Sequence, residues 1–518
     1  MRVDEALRAA PAAGLSRQEA RTLLGALAIG GVAVATGCGS EPVASNPGLT
    51  SENPANGGQG TKDWFIKGSK RASTSLIEAY TPQASALPGD RVPVHVSTSA
   101  NQWTLEAFRI GDYDGLGGVR IAQLGPFDGA KRSGAKEVGS THTMVAGWPV
   151  SAEIDTTGWP PGFYLVHAIA NNKRTEFPLV IRSASSDGAV AMIGSATTWQ
   201  AYNLWGGKSL YGGEAGELVK RSYAVSLDRP YDKKGRSLLY AFEIPLVRVA
   251  EESGVPLAWM TNIDITLNPN LLDGAVAAVS GGHDEYWSIP YRDALTRLRD
   301  AGGNLAFFGA NGCYWRVRIP DSGADAGKLV TCYKSAALDP VKDSPQTTAR
   351  WRDAPYPKPE NMIIGQLYDA FPAAGAMAIR DPDFFLFADT GATKGSKYPG
   401  LIGPETDRYY DVKTTPRPIQ IPALSEFDSR GKKTWSTVTY YSTDSGAGVF
   451  ATGTMGWVRA LPRPNKIPGV PAESTAFAKQ VTLNVLREMA KGPLGKSNPA
   501  TDDSKDVNLP TTNTTGSA

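Results

Sequence analysis

The chain has 518 residues, of which 41% are hydrophobic and 20% charged, and its formal net charge is +2. That is ordinary globular composition, long enough for two or three domains. Near-neutral charge without a Lys/Arg cluster argues against a nucleic-acid partner, and 56 Gly with 37 Pro argue for turns and long loops rather than helical bundles.

In chain order, Arg17 and Arg21 precede an uncharged apolar run at residues 23–35. The run is too short to span a bilayer and suits a signal-peptide core. It ends Ala35-Thr36-Gly37-Cys38, which resembles a bacterial lipobox with Cys38 as the lipidated residue. Residues 1–38 are therefore expected to be a signal peptide, and the mature protein to sit outside the cytoplasm, anchored to the membrane by lipid on Cys38. An ordinary cleaved signal peptide is the alternative. Residues 39–62, rich in Ser, Pro, Asn and Gly, read as a linker.

Residues 63–183 read as an Ig-like β-sandwich. Short alternating stretches, such as Arg91-Val92-Pro93-Val94-His95-Val96 and Gly162-Phe163-Tyr164-Leu165-Val166, recur between Gly/Pro turns. From residue 184 to 492 the pattern turns α/β. Apolar strands are predicted near 189–193, 257–260, 276–280 and 304–309, with a late one at 449–451. Helices are predicted around 246–250, from a Ser288 cap with Pro290 in the first turn, and at 473–490. Alternating strands and helices imply a parallel sheet covered on both faces. Residues 320–400 are irregular, and residues 493–518 read as a disordered tail.

Three strand ends deliver polar clusters: Gln200-Ala201-Tyr202-Asn203, then Gly282-His283-Asp284-Glu285-Tyr286-Trp287, then Gly309-Ala310-Asn311. Ligands of open α/β sheets bind at such ends. If the strands are neighbours, Tyr202, His283, Glu285 and Asn311 face one crevice. Gly403-Pro404-Glu405-Thr406-Asp407 offers a further carboxylate. Each has a plainer reading: Tyr202 as a core aromatic, Glu285 as a helix cap, Asn311 as a left-handed turn residue, Glu405 as a loop carboxylate. Cys313 and Cys332 form a disulfide or stay as inert thiols; Cys313 as a nucleophile is the sharper alternative.

Taken in order, Gln-Ala-Tyr-Asn with Trp-Gly-Gly, Gly-His-x-Glu-Tyr-Trp, Phe-Phe-Gly-Ala-Asn and Gly-x-Glu-x-Asp resemble the large (beta) subunit catalytic domain of N,N-dimethylformamidase and its relatives, over about residues 80–460. The resemblance implies a class I glutamine amidotransferase-like α/β core without a nucleophilic Cys, and hydrolysis of an amide C–N bond. It implies a mononuclear iron held by two Tyr and one Glu. On this chain the metal ligands would be Tyr202, Glu285 and, by order and approximate spacing, Tyr164. His283, Asn311 and Glu405 would be the catalytic residues. Phenolate and carboxylate are hard donors suited to ferric iron. Asp284 would add negative charge beside the metal. A small amide or an envelope-derived compound is the expected substrate, and an oligomer is compatible. The competing reading is a non-catalytic surface lipoprotein that binds cell-envelope glycans or peptides.

Overall fold

The computed structural model describes residues 59–213, 220–465 and 467–513. The expected signal peptide, Cys38 and most of the linker lie outside the described residues. No helix among the described residues is long and apolar enough to cross a membrane.

The N-terminal part is built from two facing sheets. One runs Ile77–Tyr80, Arg91–Thr98, Ala152–Asp155; the other runs Ser85–Ala86, Lys173–Ile181, Gly162–Ala170, Gln102–Ile110, Gly118–Asp128. Alternation with period two sends Val92, Val94 and Val96 of the first sheet into one core with Leu105, Val166 and Ala168 of the second. The strand Gly162–Ala170 is buried along nearly its whole length, because its outer face meets the α/β part: Phe163 packs edge-on against Trp199 at 5.8 Å. The same core continues into that part, so the boundary at 183/184 interrupts the chain pattern and not the packing.

The α/β part carries a seven-stranded sheet. In chain order its strands are β1 (Val190–Gly194), β2 (Leu257–Thr261), β3 (Ala277–Ser280), β4 (Asn304–Phe307), β5 (Ile419–Ser429), β6 (Lys432–Ser442) and β7 (Gly448–Ala451). Their spatial order is β2-β1-β3-β4-β7-β6-β5. Alternate residues of each strand serve opposite faces. Val190, Met192, Ala277 and Val279 pack with Leu246 and Val249 of helix α2 (Ile244–Glu252) and with Val481 and Val485 of α5 (Ala472–Ala490). Ala191, Ile193, Ala278 and Leu305 pack with Ile265 of α3 (Asn262–Leu267) and with Tyr291, Leu295 and Leu298 of α4 (Ile289–Asp300). The Ser288 cap is present: its side chain accepts from Tyr291 N–H.

Two expectations change. The sheet is mixed: β2, β1, β3, β4 and β7 are parallel, but β6 is antiparallel to both its neighbours, β7 and β5. The cause is a two-residue hairpin turn with positive φ at both Arg430 (55°) and Gly431 (74°), a geometry matched to the right-handed twist of paired strands. The segment expected to be a disordered tail packs on the body as far as residue 513. Leu494 and Val507 are buried, and Arg408 donates to the carbonyls of Pro510 and Thr512 at 2.8 and 3.0 Å. Polar composition suggested disorder; a few anchors suffice to order it.

The strand ends crowd at two glycines. A Cβ on Gly309 would lie 2.3 Å from the Gly282 carbonyl oxygen, so the exits of β3 and β4 approach as closely as they do only because no side chain intervenes. Gly309→Ala should destabilise the fold by about 1–3 kcal/mol through overpacking, read as a lower midpoint in urea with an unchanged slope.

Candidate active site

The sheet changes direction between β1 and β3, since the chain runs outward from β1 to β2 and then returns to the other side of β1. That is the topological switch point, where strand ends leave a crevice. β1, β3 and β4 are adjacent, so the three polar clusters meet there.

The centre is Glu285, fully buried. Helix α1 (Ala196–Tyr202) starts directly after β1. Thr198 and Tyr202, one turn apart on one face, clamp Glu285 from both ends: Thr198 Oγ1 accepts from Glu285 N–H at 3.1 Å, and Tyr202 Oη donates to Glu285 Oε2 at 2.8 Å. Tyr211 Oη donates to Glu285 Oε1. The two phenol rings lie 4.6 Å apart, and Trp315 Nε1 donates to Tyr211 Oη at 3.2 Å. His283 Nε2 lies 3.2 Å from Glu285 Oε2 but out of hydrogen-bond alignment, with its ring between Tyr202 (5.3 Å) and Phe242 (5.6 Å). Lys334 Nζ sits over the Tyr211 ring, 2.9 Å from its centroid.

A second pair completes the pocket. Asn311, at φ 57°, has its N–H on Asp407 Oδ1 and its side-chain amide on Glu405 Oε2, both at 2.8 Å. The left-handed turn and the contact with Glu405 are thus one feature, since the turn aims the amide.

The charges are strongly coupled. Burial pushes Glu405 up to about 7, with Glu285 adding to the shift and His283 opposing it. Burial works against the charged form of His283, but Glu285, Glu405 and Asp284 outweigh it and raise the imidazole above its ordinary value. Burial also disfavours the Glu285 carboxylate, yet His283 and Lys334 hold it below the usual range. Burial lowers Lys334 to about 7. Burial, then Glu285, raises both Tyr202 and Tyr211 well above the ordinary phenol value.

Of the residues singled out from the sequence, Tyr202, His283, Glu285, Asn311 and Glu405 come together. Tyr164 does not join them. Its hydroxyl donates to Pro160 O at 2.7 Å and its ring stacks on Trp159, within the N-terminal part; order and spacing along the chain did not translate into proximity. Tyr211 stands instead beside Tyr202 on the same carboxylate. Its one sequence signal is a Tyr-Gly-Gly (211–213) shortly after Trp-Gly-Gly (205–207). Lys334, from the segment left unassigned, is the other residue missed. Asp284 is also corrected: it turns to the opposite side, accepting from Tyr291 Oη (2.7 Å), Ser280 Oγ (3.1 Å) and Asn262 Nδ2 (3.1 Å). Glu285 is not the helix cap, a role Ser288 fills.

Cys313 and Cys332 are separate buried thiols. Burial pushes each up to about 12, and a thiol held protonated is a poor nucleophile.

No group of three or more His, Cys, Asp or Glu side chains among the described residues is placed to hold a metal ion; a cation here must draw on phenol oxygen. The donor set fits one. Two phenols and an imidazole converge on one buried carboxylate, and both ring nitrogens of His283 and the Asn311 Oδ1 atom are buried without a hydrogen-bond partner. Trp315 and Lys334 also line a cavity of about 550 Å³ with Tyr314, Ala349 and Arg350, which brings the cluster within reach of small solutes.

Beneath the cluster lies another buried carboxylate, Glu243, which accepts from Trp199 Nε1 (3.0 Å) and Ser195 N–H (3.2 Å). Burial pushes it up to about 7 from an ordinary value of 4.5. Below the lower value the carboxyl is neutral whether folded or unfolded, so wild type and Glu243→Gln should be equally stable there. Between the two values the unfolded chain loses the proton while the folded one keeps it. Wild-type stability therefore falls as pH rises and levels off above about 7. Urea unfolding at about pH 8 should find Glu243→Gln more stable by up to about 3 kcal/mol.

The family model described as N,N-dimethylformamidase beta subunit-like, C-terminal, matches residues 104–469 of this chain. That span runs from the second strand of the larger N-terminal sheet to the threshold of α5 and contains every residue of the cluster. No curated protein matches the chain.

Proposed function

The chain belongs to the N,N-dimethylformamidase beta subunit-like family, and on that basis we propose that it hydrolyses the C–N bond of a small amide at the β1/β3 crevice. The family suggests an amide-hydrolysing enzyme. The observation that carries the reading to these residues is the convergence of Tyr202, Tyr211 and His283 on the buried carboxylate of Glu285.

In this reading Tyr202, Tyr211 and Glu285 hold a single cation, iron by resemblance, with Tyr211 in the role first given to Tyr164. A ferric ion held there would supply Lewis acidity and lower the pKa of water, so that hydroxide is available at neutral pH. The chain's own groups do the rest. Asn311, anchored through Asp407 and Glu405, donates to the carbonyl oxygen as negative charge develops. Glu405, poised near neutrality, takes a proton from the attacking water and returns it to the departing amine. His283 keeps Glu285 ionised and orients it. Phe242 and Trp315 exclude bulk water on either side of the cluster.

In this proposal the paired N-terminal sheets form an Ig-like sandwich, and the seven-stranded layer is a variant of the class I glutamine amidotransferase fold. The location is part of it too. The apolar run at 23–35 and the small residues before Cys38 support an exported, lipid-anchored enzyme.

Purified protein loaded with iron should contain about one ion per chain, show a tyrosinate-to-iron band in the visible spectrum and release amine from N,N-dimethylformamide or a small relative. Tyr202→Phe, Tyr211→Phe and Glu285→Gln should lose the ion and the band. Tyr164→Phe should keep both. Asn311→Ala should keep the ion and lose about 10²–10³ in turnover. A folded wild-type protein that takes up no iron, zinc or manganese would sink the metal assignment.

Cys313→Ala tests the remaining alternative. Turnover should stay within about tenfold of wild type, because losing a nucleophile costs several orders of magnitude. Abolished turnover in a folded variant would point to Cys313 as the attacking group.

A further inference from the structure

The two phenols on Glu285 are held by different kinds of structure. Tyr202 ends helix α1, whereas Tyr211 lies on the loop that follows it. That loop reverses at Trp205-Gly206-Gly207, where both glycines take positive φ (78° and 91°), a region open to a residue without a Cβ. It returns close enough for Leu210 N–H to donate to Ala201 O at 3.1 Å, and this brings the two rings together.

The two limbs of the reversal share one further partner, Arg229. Its side chain is fully buried. Nη2 donates to Gln200 O at 3.0 Å and Nε to Gln200 Oε1 at 3.3 Å, while Nη1 donates to Lys208 O at 3.0 Å and Trp205 O at 3.4 Å. One guanidinium thus joins the limb that ends in Tyr202 to the limb that leads to Tyr211. The segment that carries it also grips Asn203, whose side chain accepts from Asp232 N–H and donates to Pro230 O, both at 2.9 Å. Gln200 and Asn203, the polar residues on either side of Tyr202 in the Gln-Ala-Tyr-Asn stretch, therefore serve this joint.

A buried guanidinium is a poor device for stability alone, since carbonyl oxygens return only part of its desolvation cost. Burial pushes its pKa down to about 10, so it stays charged at neutral pH. Its use is geometric. Five donors in a rigid plane fix several acceptors at once, which the flexible point charge of a lysine does not.

We propose that Arg229 is a positioning residue for the active site: it fixes the loop of Tyr211 against helix α1 and so sets both phenols on Glu285 in one arrangement. The consequence for a bound cation rests on the function proposed above; the tether itself does not.

Hydrogen exchange, followed by mass spectrometry on the intact protein without iron, tests the tether. In Arg229→Lys, peptides covering residues 203–212 should exchange at least about tenfold faster, while those covering β1 and α4 keep their wild-type rates. Loaded with iron, the same variant should hold the ion about 10–100-fold more weakly and shift the tyrosinate band. Gln200→Leu, which removes one acceptor of the fork, should show the same pattern to a smaller extent, and it decides the matter if Arg229→Lys does not fold. Unchanged exchange over residues 203–212, faster exchange spread over the whole sheet, or wild-type iron affinity with a loosened loop would each overturn the proposal. If the wild-type protein takes up no iron, the metal assignment fails and the exchange rates still decide the tether.

Discussion

One carboxylate withdrawn from water sets the terms for everything at the strand ends. An isolated ionised Glu285 in this position would cost several kcal/mol in desolvation, so the fold surrounds it with groups that favour its charge. Thr198 takes its amide proton, two phenols take its oxygens, and His283 and Lys334 lower its field. These five partners come from four stretches of chain: helix α1, the loop at Tyr211, the exit of β3 and the segment at Lys334. The glycines at 282 and 309 exist in the same service: without their missing side chains the β3 and β4 exits could not close over the carboxylate.

The neighbouring Asp284 shows how period-two geometry separates two acids in sequence. One step along an extended backbone reverses the side chain. Glu285 enters the crevice and Asp284 the face covered by α3 and α4, where Tyr291, Ser280 and Asn262 satisfy it. Adjacent carboxylates that would repel in one pocket occupy two. A third, Glu243, lies beneath under a tryptophan and a backbone amide. The crevice therefore rests on a layer of buried acids, each neutralised differently: by cations and phenols, by hydroxyls and an amide, or by holding its proton.

What could be read from the sequence was what local physics decides. Strand periodicity, the Ser288 cap with Pro290, and the polar residues directly after apolar runs all depend on neighbours a few positions away, and these located β1 to β4, α4 and five members of the cluster. Tyr211 and Lys334 escaped because loops bring them in: Tyr211 is placed by Trp315, a contact across more than a hundred residues. Tyr164 was drawn in by counting along the chain, and its strand faces Trp159 instead. The β5–β6 hairpin went unread because the residues beside its Arg430-Gly431 turn are Ser, Lys and Thr, although Ile419, Ile421, Ala423 and Phe427 alternate along β5. Residues 493–513 are polar enough to look unstructured, and Arg408, buried and paired with Asp369, is among the groups that hold them.

The position of β7 has a kinetic consequence. It lies between β4 and β6 in the middle of the sheet, yet it is the last strand made. A ribosome emitting the chain from its N-terminus exposes β1 to β4 with one flank of β4 unpaired for well over a hundred residues of further synthesis. Until residue 451 emerges that flank is an open edge of buried-type sequence, able to pair with another chain. Closure joins segments far apart in sequence and is slow for that reason. For this protein the hazardous interval is the delay between making the crevice and sealing the sheet that supports it, and that delay should govern how much of a fast-expressed preparation aggregates.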